Sequence, residues 1–230
     1  MQTKLAIVGY GKMGKLIEQL APQYGFEVAL KLDEFNNASG EGLTAENFRG
    51  IPVAIEFSIP SVVLSNVEGL ATLGVNVVVG TTGWLEHLAR ARQAVERHST
   101  ALVWSPNYSV GVNVFFRLAA EAARLMANQP EYEAWAYEIH HSAKKDAPSG
   151  TLLKLVDEMK KAGYAPRIDV GSNRAGAHPG THEIGFDSSA DTITLRHSAR
   201  SREGFARGAL KAAQWIVGKK GFFEFSEILF

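Results

Sequence analysis

Cysteine is absent, and with it go disulfides, thiolate metal centres and cysteine nucleophiles. Long apolar runs are absent too: none approaches the roughly 20 residues that span a bilayer. Neither sign of charge is in surplus. Lys+Arg and Asp+Glu are both 24, so the formal net charge is zero. A nucleic-acid binder normally shows a basic face, and this balance argues against one. The first residues, Met-Gln-Thr-Lys, pass straight into Leu5-Ala6-Ile7-Val8 without a signal-peptide layout. The expectation is a cytoplasmic protein with neither membrane nor nucleic-acid partners. What is present is 46% hydrophobic residues in a chain of 230, enough for one large core or two modest ones.

The first half alternates short apolar runs with helical patterns. Leu5 to Val8, Phe26 to Leu32, Val53 to Phe57, Asn76 to Val79 and Ala101 to Trp104 read as strands. Met13, Leu16, Ile17 and Leu20 recur at helical spacing, and helices are expected over Ser61 to Leu73 and Leu85 to His98. This alternation predicts a parallel sheet covered by helices. The polar stretch from Phe35 to Gly50 is too short for a full crossover. After Ser105-Pro106-Asn107 the rhythm changes. A long helix is expected from Val112 to Met126, and a shorter one carries Leu152, Leu155, Val156 and Met159. Strands are expected at Trp135 to Ile139, Thr181 to Phe186 and Thr192 to His197, with a final helix from Glu203 to Val217. The expected fold is α/β, a doubly wound parallel sheet with a second α+β domain on a mainly antiparallel sheet. The expected division is 1–107 plus 204–230 for the first domain and 108–203 for the second.

Gly9-Tyr10-Gly11-Lys12-Met13-Gly14 is a G-x-G-x-x-G turn between a strand and a helix. Its first glycine permits the tight turn, its second admits a pyrophosphate, and its third lets helix and strand pack closely. The helix start then offers unpaired N–H groups to phosphates. Asp33 lies nineteen residues after Gly14, at the end of the second strand, where it can bond ribose hydroxyls. These residues predict a Rossmann-type dinucleotide site. Glu34 should repel a 2′-phosphate and Lys12 partly offset it, so NADH is expected over a still usable NADPH. Gly80-Thr81-Thr82-Gly83 follows a strand and reads equally as a nicotinamide-lining loop or an ordinary turn.

Glu138-Ile139-His140-His141-Ser142-Ala143-Lys144-Lys145-Asp146-Ala147-Pro148-Ser149-Gly150-Thr151 joins a strand to a helix. With Trp135, Tyr137 and Ile139 facing the core, Glu138 and His140 face outward and His141 falls on the other side. Adjacent histidines on opposite faces do not readily chelate one metal, so no metal site is expected. Pro148 suits the first helical turn. Free amides near Gly150 and Thr151, with Lys144 and Lys145, suit a small anion. Asp146 reads as either a cap or an orienter of a lysine. The stretch describes a pocket for an anionic substrate that must be protonated.

His-His-x-x-Lys-x-Asp-Ala-Pro-Ser-Gly-Thr, starting at His140, resembles the signature of the 4-hydroxy-tetrahydrodipicolinate (dihydrodipicolinate) reductase family. Agreeing pieces follow in order: the glycine loop, Gly80-Thr81-Thr82-Gly83, Pro106-Asn107-Tyr108-Ser109-Val110-Gly111-Val112-Asn113, Arg196-His197-x-x-x-Ser201-Arg202 and Phe205-Ala206-x-Gly208-Ala209. The resemblance covers nearly the whole chain. It implies reduction of an unsaturated heterocyclic dicarboxylate with NADH or NADPH, in the diaminopimelate route to lysine. It implies His140 as proton donor and Lys144 as second acid/base group and substrate contact. His141 would bind substrate, and Gly150 with Thr151 would hold a carboxylate. Gly9, Tyr10, Gly11, Lys12, Met13, Gly14, Asp33, Gly80, Thr81, Thr82, Ser105, Pro106, Asn107 and Tyr108 would form the cofactor site. It also implies a homotetramer joined through the second domain. The chain departs from the family in its compact glycine loop, its trimmed Phe35 to Gly50 segment, Glu34 where some members have arginine, and Tyr108 where phenylalanine is common. The rival readings are another small-molecule dehydrogenase of the same plan, or a dinucleotide-sensing regulator without turnover.

Overall fold

The computed structural model describes residues 2–230. In chain order it begins with β1 (Thr3–Val8), α1 (Lys12–Leu20), β2 (Phe26–Leu32), β3 (Val53–Glu56), α2 (Pro60–Thr72), β4 (Asn76–Val79), α3 (Leu88–Arg97) and β5 (Ala101–Trp104). There follow α4 (Val110–Met126), β6 (Glu133–His140), α5 (Gly150–Lys161), β7 (Ile168–Arg174), β8 (Thr181–Asp187) and β9 (Thr192–Ser198). The chain finishes with α6 (Glu203–Ile216), β10 (Gly221–Glu224) and α7 (Phe225–Leu229). Two compact units result: residues up to Ser109 with Glu203–Phe230, and Val110–Arg202. Among the described residues no helix is long and apolar enough to cross a membrane.

The first unit holds a six-stranded parallel sheet in the order β10-β5-β4-β3-β1-β2. Its central strands are buried throughout, which is why Val53-Ala54-Ile55 and Val77-Val78-Val79 read as unbroken apolar runs. Asn76 is a buried polar exception. Its amide donates to Ile216 O at 2.7 Å and accepts from Ala101 N at 2.8 Å. It therefore ties β4, β5 and the end of α6 together.

The second unit holds a four-stranded sheet in the order β7-β6-β8-β9. β6 pairs antiparallel with β8 but parallel with β7, a strand the sequence pattern did not reveal. Val112, Phe115, Phe116, Ala119 and Ala123 of α4 pack with Leu152, Leu155 and Met159 of α5 over one sheet face.

The covered face of β6 is the reverse of the one expected. Ala134, Ala136, Glu138 and His140 are buried, while Trp135, Tyr137 and Ile139 are only half-buried. Small side chains sit under the helices because α4 and α5 supply the bulk there. The two aromatic rings lie instead over glycines of the neighbouring strands. A Cβ on Gly185 would come within 2.3 Å of the Trp135 ring, and one on Gly171 within 3.0 Å of Tyr137. That partnership is invisible to a reading confined to β6.

Candidate active site

Four cross-strand neighbours make the polar end of the covered face. The registers place Glu138 opposite Ser172 on one side and His182 on the other, with His197 opposite His182. One step further along β6, His140 pairs with Arg174. Toward the opposite end of the same face lie Ala134, Ala136, Ile184 and Phe186, in the apolar core.

Glu138 has no solvent exposure. An isolated buried carboxylate is costly, so its partners decide its charge. It accepts from Ser149 N at 2.8 Å, Ser172 Oγ at 2.8 Å and Arg174 Nη2 at 2.9 Å, and also from Ser149 Oγ. Burial alone would push its proton affinity up. The bonds from Ser149, Ser172 and Arg174 outweigh that and pull its pKa down to about 2. The group is therefore a carboxylate at neutral pH.

Two imidazoles face this carboxylate. His182 Nε2 lies 3.2 Å and His140 Nδ1 3.4 Å from Oε2, and the rings meet edge-on at 5.0 Å. Burial first, then the neighbouring His140, lowers the His182 pKa to about 4 despite Glu138, so His182 is neutral. His140 is also lowered, chiefly by burial, with Glu138 opposing and Lys144 and Arg174 reinforcing the shift. Its Nδ1 is buried and has no hydrogen-bond partner.

The sequence argument had placed His140 outward and considered metal binding only through its neighbour His141. The structure buries His140 and brings Glu138 and His182 to it instead. Their ligand atoms lie within 4.8 Å of one another, a spacing a cation can bridge. Yet Glu138 already neutralises the Arg174 guanidinium and receives two serine hydroxyls. A dication there would meet a positive charge and displace these donors.

Lys144 Nζ is held by Asp146 at 2.7 and 3.0 Å, so Asp146 orients a lysine. The same carboxylate faces the Gly150 amide, so that N–H is not free as the sequence reading had it. Pro148 precedes the helix rather than opening it. Ser149 is the N-cap, its Oγ accepting from Leu152 N at 3.2 Å. Thr151 lies in the first turn and His141 is half-buried on the following loop. Lys145 is exposed. Gly180 lets the His140 ring lie where it does: a Cβ there would sit 3.0 Å from its Cδ2 and Nε2. Glu138, Ser149, Ser172, Arg174 and His182 escaped the sequence reading as site residues. The available signal was Glu138 sharing strand phase with His140.

In the first unit the three glycines of the loop differ as a dinucleotide turn requires. Gly9 has φ +97°, and a Cβ would lie 2.2 Å from Phe57 O. Gly11 faces open space, with nothing within 4 Å of its Cβ position. A Cβ on Gly14 would come 2.6 Å from Gly9 O, the close helix–strand contact. Gly11 is the N-cap of α1 without a side-chain cap, and the first turn carries no acid. These residues fit a pyrophosphate. Lys12 is exposed and Met13 half-buried beside it. Tyr10 turns its hydroxyl onto Glu18, which Lys31 also holds at 3.0 Å. Asp33 directly follows β2, and its Oδ1 accepts from Phe35 N at 2.9 Å.

The other loops at the carboxyl edge of this sheet are tied by a second buried acid. Glu56 accepts from Thr81 Oγ1 at 2.7 Å, Ser58 N at 3.2 Å and Asn66 Nδ2 at 3.3 Å. Burial raises its pKa, with Ser58 and Thr81 opposing. Gly80 is required because the Phe57 ring lies 2.1 Å from its Cβ position, and Thr82 is exposed. Ser105 Oγ donates to Asn107 O at 2.8 Å, shaping the loop around exposed Pro106. Tyr108 is buried. Its hydroxyl is shared between Val79 O at 3.0 Å and Val103 O at 2.9 Å, so it joins β4 to β5 rather than facing a ligand.

Comparison with known proteins adds to this geometry. Residues 3–108 match the family model described as dihydrodipicolinate reductase, N-terminus, and residues 111–229 the one described as its C-terminus. A 4-hydroxy-tetrahydrodipicolinate reductase of Christiangramia forsetii is 35% identical over 98% of this chain and 97% of its own. One from Methanosarcina mazei is 37% identical over 77% of this chain and 72% of its own. A dipicolinate-bound dihydrodipicolinate reductase from Paenisporosarcina sp. TG-14 superposes with a TM-score of 0.82 at 21% identity, covering 99% of this chain and 100% of that one.

Proposed function

The chain belongs to the dihydrodipicolinate reductase family and is an NAD(P)-dependent reductase, and we propose that it reduces 4-hydroxy-tetrahydrodipicolinate with His140 as proton donor and Lys144 as substrate anchor. The observation that carries this reading is the gathering of His140 and the capped start of α5 around Glu138, with the charge of Lys144, held by Asp146, acting on His140. The first unit would hold NADH or NADPH through Gly9, Tyr10, Gly11, Lys12, Met13, Gly14 and Asp33. Gly80, Thr81, Thr82 and the Ser105, Pro106, Asn107 and Tyr108 segment would frame the remainder. Bound there, the dihydronicotinamide supplies a hydride. His140 takes up a proton on its imidazole and passes it to the reduced ring. Lys144, His141 and the first-turn Thr151, with Gly150 beside it, hold the carboxylates and damp developing charge. The test is cofactor oxidation, which should require the dicarboxylate. Equal oxidation with an amino-acid semialdehyde, or binding without turnover, would overturn the reading.

Lys144→Ala should lower kcat and raise KM for the dicarboxylate, each by about tenfold or more, because one charge serves binding and transition state together. Steady-state kinetics checks this, and an unchanged KM contradicts the substrate contact. Cofactor choice follows from Glu34, exposed beside Asp33 at the end of β2. A carboxylate there repels a 2′-phosphate, so kcat/KM should favour NADH with NADPH still usable. A strong NADPH preference contradicts it. A cytoplasmic homotetramer joined through the second unit completes the reading. The half-buried Trp135 and Tyr137 on the sheet face away from α4 and α5 support that association.

A further inference from the structure

We propose that Glu138 is the positioning residue for the proton donor: its carboxylate fixes the His140 ring so that Nδ1 carries the inward proton and Nε2 presents the transferable one. The inference rests on the assignment of His140 as donor and goes beyond it. Glu138 stands on the same strand face two residues before His140 and is entirely buried. Its orientation is fixed independently of His140, by Ser149 from the start of α5, Ser172 and Arg174 from β7. Oε2 is thereby left facing the two rings, 3.4 Å from His140 Nδ1 and 3.2 Å from His182 Nε2.

Chemistry selects the tautomers. His182 approaches through Nε2, 3.2 Å from the carboxylate and 3.3 Å from Ser149 Oγ, so a proton on that nitrogen meets an acceptor. His140 Nδ1 is inaccessible and makes no hydrogen bond, and the acceptor it faces is Glu138 Oε2 at 3.4 Å, so a proton there meets an acceptor, whereas a lone pair there would face negative charge. The residual exposure of the His140 side chain, 10%, therefore lies away from Nδ1. Nε2 lies beside the bare Cα of Gly180. This leaves Nε2 as the nitrogen that takes up and releases a proton. The groups facing His140 are Glu138 on its own strand, Arg174 from β7, His182 from β8, and Lys144 and Asp146 from the following loop. Burial, Lys144 and Arg174 all disfavour its protonated form, and Glu138 is the leading opposing influence. Without that negative charge the ring would release its proton at lower pH and be empty when the hydride arrives.

The test compares Glu138→Gln with His140→Gln in the full-length protein. Glu138→Gln should lower kcat by about one to two orders of magnitude with KM for the dicarboxylate nearly unchanged. The alkaline limb of its kcat/KM profile should move acidward by about one pH unit or more. A merely structural role would not move that limb. An unshifted limb with near-normal kcat, alongside an impaired His140→Gln, overturns the proposal and spares the donor assignment. Normal turnover by His140→Gln overturns the donor assignment itself. Because Glu138→Gln leaves Arg174 without its buried counter-charge and risks misfolding, the wild-type protein gives a second reading. In ¹⁵N-histidine spectra, assigned by the resonance lost in His140→Gln, neutral His140 should carry its proton on Nδ1. The Nε2–H tautomer overturns the proposal whatever the variant does.

Discussion

Replacing His140 with glutamine is expected to lower kcat by about two to four orders of magnitude while cofactor affinity stays intact. Glutamine keeps a polar group of similar reach near Glu138 but holds no transferable proton at neutral pH. The loss should therefore appear in the chemical step. His140 belongs to the second unit and the glycine loop to the first, so cofactor titration provides an internal control. The variant should remain folded, because the Glu138 network with Ser149, Ser172 and Arg174 does not pass through the imidazole. Single-turnover kinetics with the dicarboxylate measures the effect. Near-normal turnover refutes the role.

The second large effect concerns two glycines of one loop that should fail in different ways. Gly9→Ala places a methyl 2.2 Å from Phe57 O and 2.3 Å from Phe57 C at a φ of +97°. Backbone cannot yield as a flexible side chain does, so strain and overlap together should cost about 3 kcal/mol or more. That is a large fraction of a typical domain's stability. Gly11→Ala meets nothing within 4 Å, and its backbone is extended with φ −84°. Its stability should stay within about 0.5 kcal/mol of the parent. The methyl, however, occupies the space a pyrophosphate needs, so cofactor Kd should rise at least about tenfold, or 1.4 kcal/mol. Urea unfolding and calorimetric cofactor titration separate the two. A Gly11→Ala protein that binds cofactor normally would remove the dinucleotide reading of this loop.

Legibility in the sequence followed locality. β1, α1 and β2 were readable because buried parallel strands are continuous apolar runs and α1 carries Ile17 and Leu20 at helical spacing. β7 was not, since Ile168-Asp169-Val170-Gly171-Ser172-Asn173-Arg174 is mostly polar and Ile168 is its one residue in the core. Strand β10 has only four residues, too few for periodicity to show. The inward face of β6 was misread because large rings normally win burial over alanine. Here Gly171 and Gly185 receive the rings from other strands. At the site, the stretch from His140 to Thr151 was visible as a block. Its foundation was not, because Glu138 gains its meaning from Ser172, Arg174 and His182, assembled by strand pairing across more than thirty residues. The place of the Tyr108 hydroxyl was hidden for a related reason. A hydroxyl beside a ligand loop looks available until two strand-end carbonyls claim it.

The interrupted layout of the nucleotide-binding unit has a consequence for how the chain is made. Strand β5 pairs on one side with β4 and on the other with β10, whose residues 221–224 leave the ribosome only after the whole of Val110–Arg202. Until then β5 presents a bare edge of unpaired backbone groups, and the Asn76 amide waits for the carbonyls of Ile216 and Lys219. The inserted unit can mature first, during synthesis, while its host stays open. Nascent chains arrested before residue 221 should therefore be the aggregation-prone species.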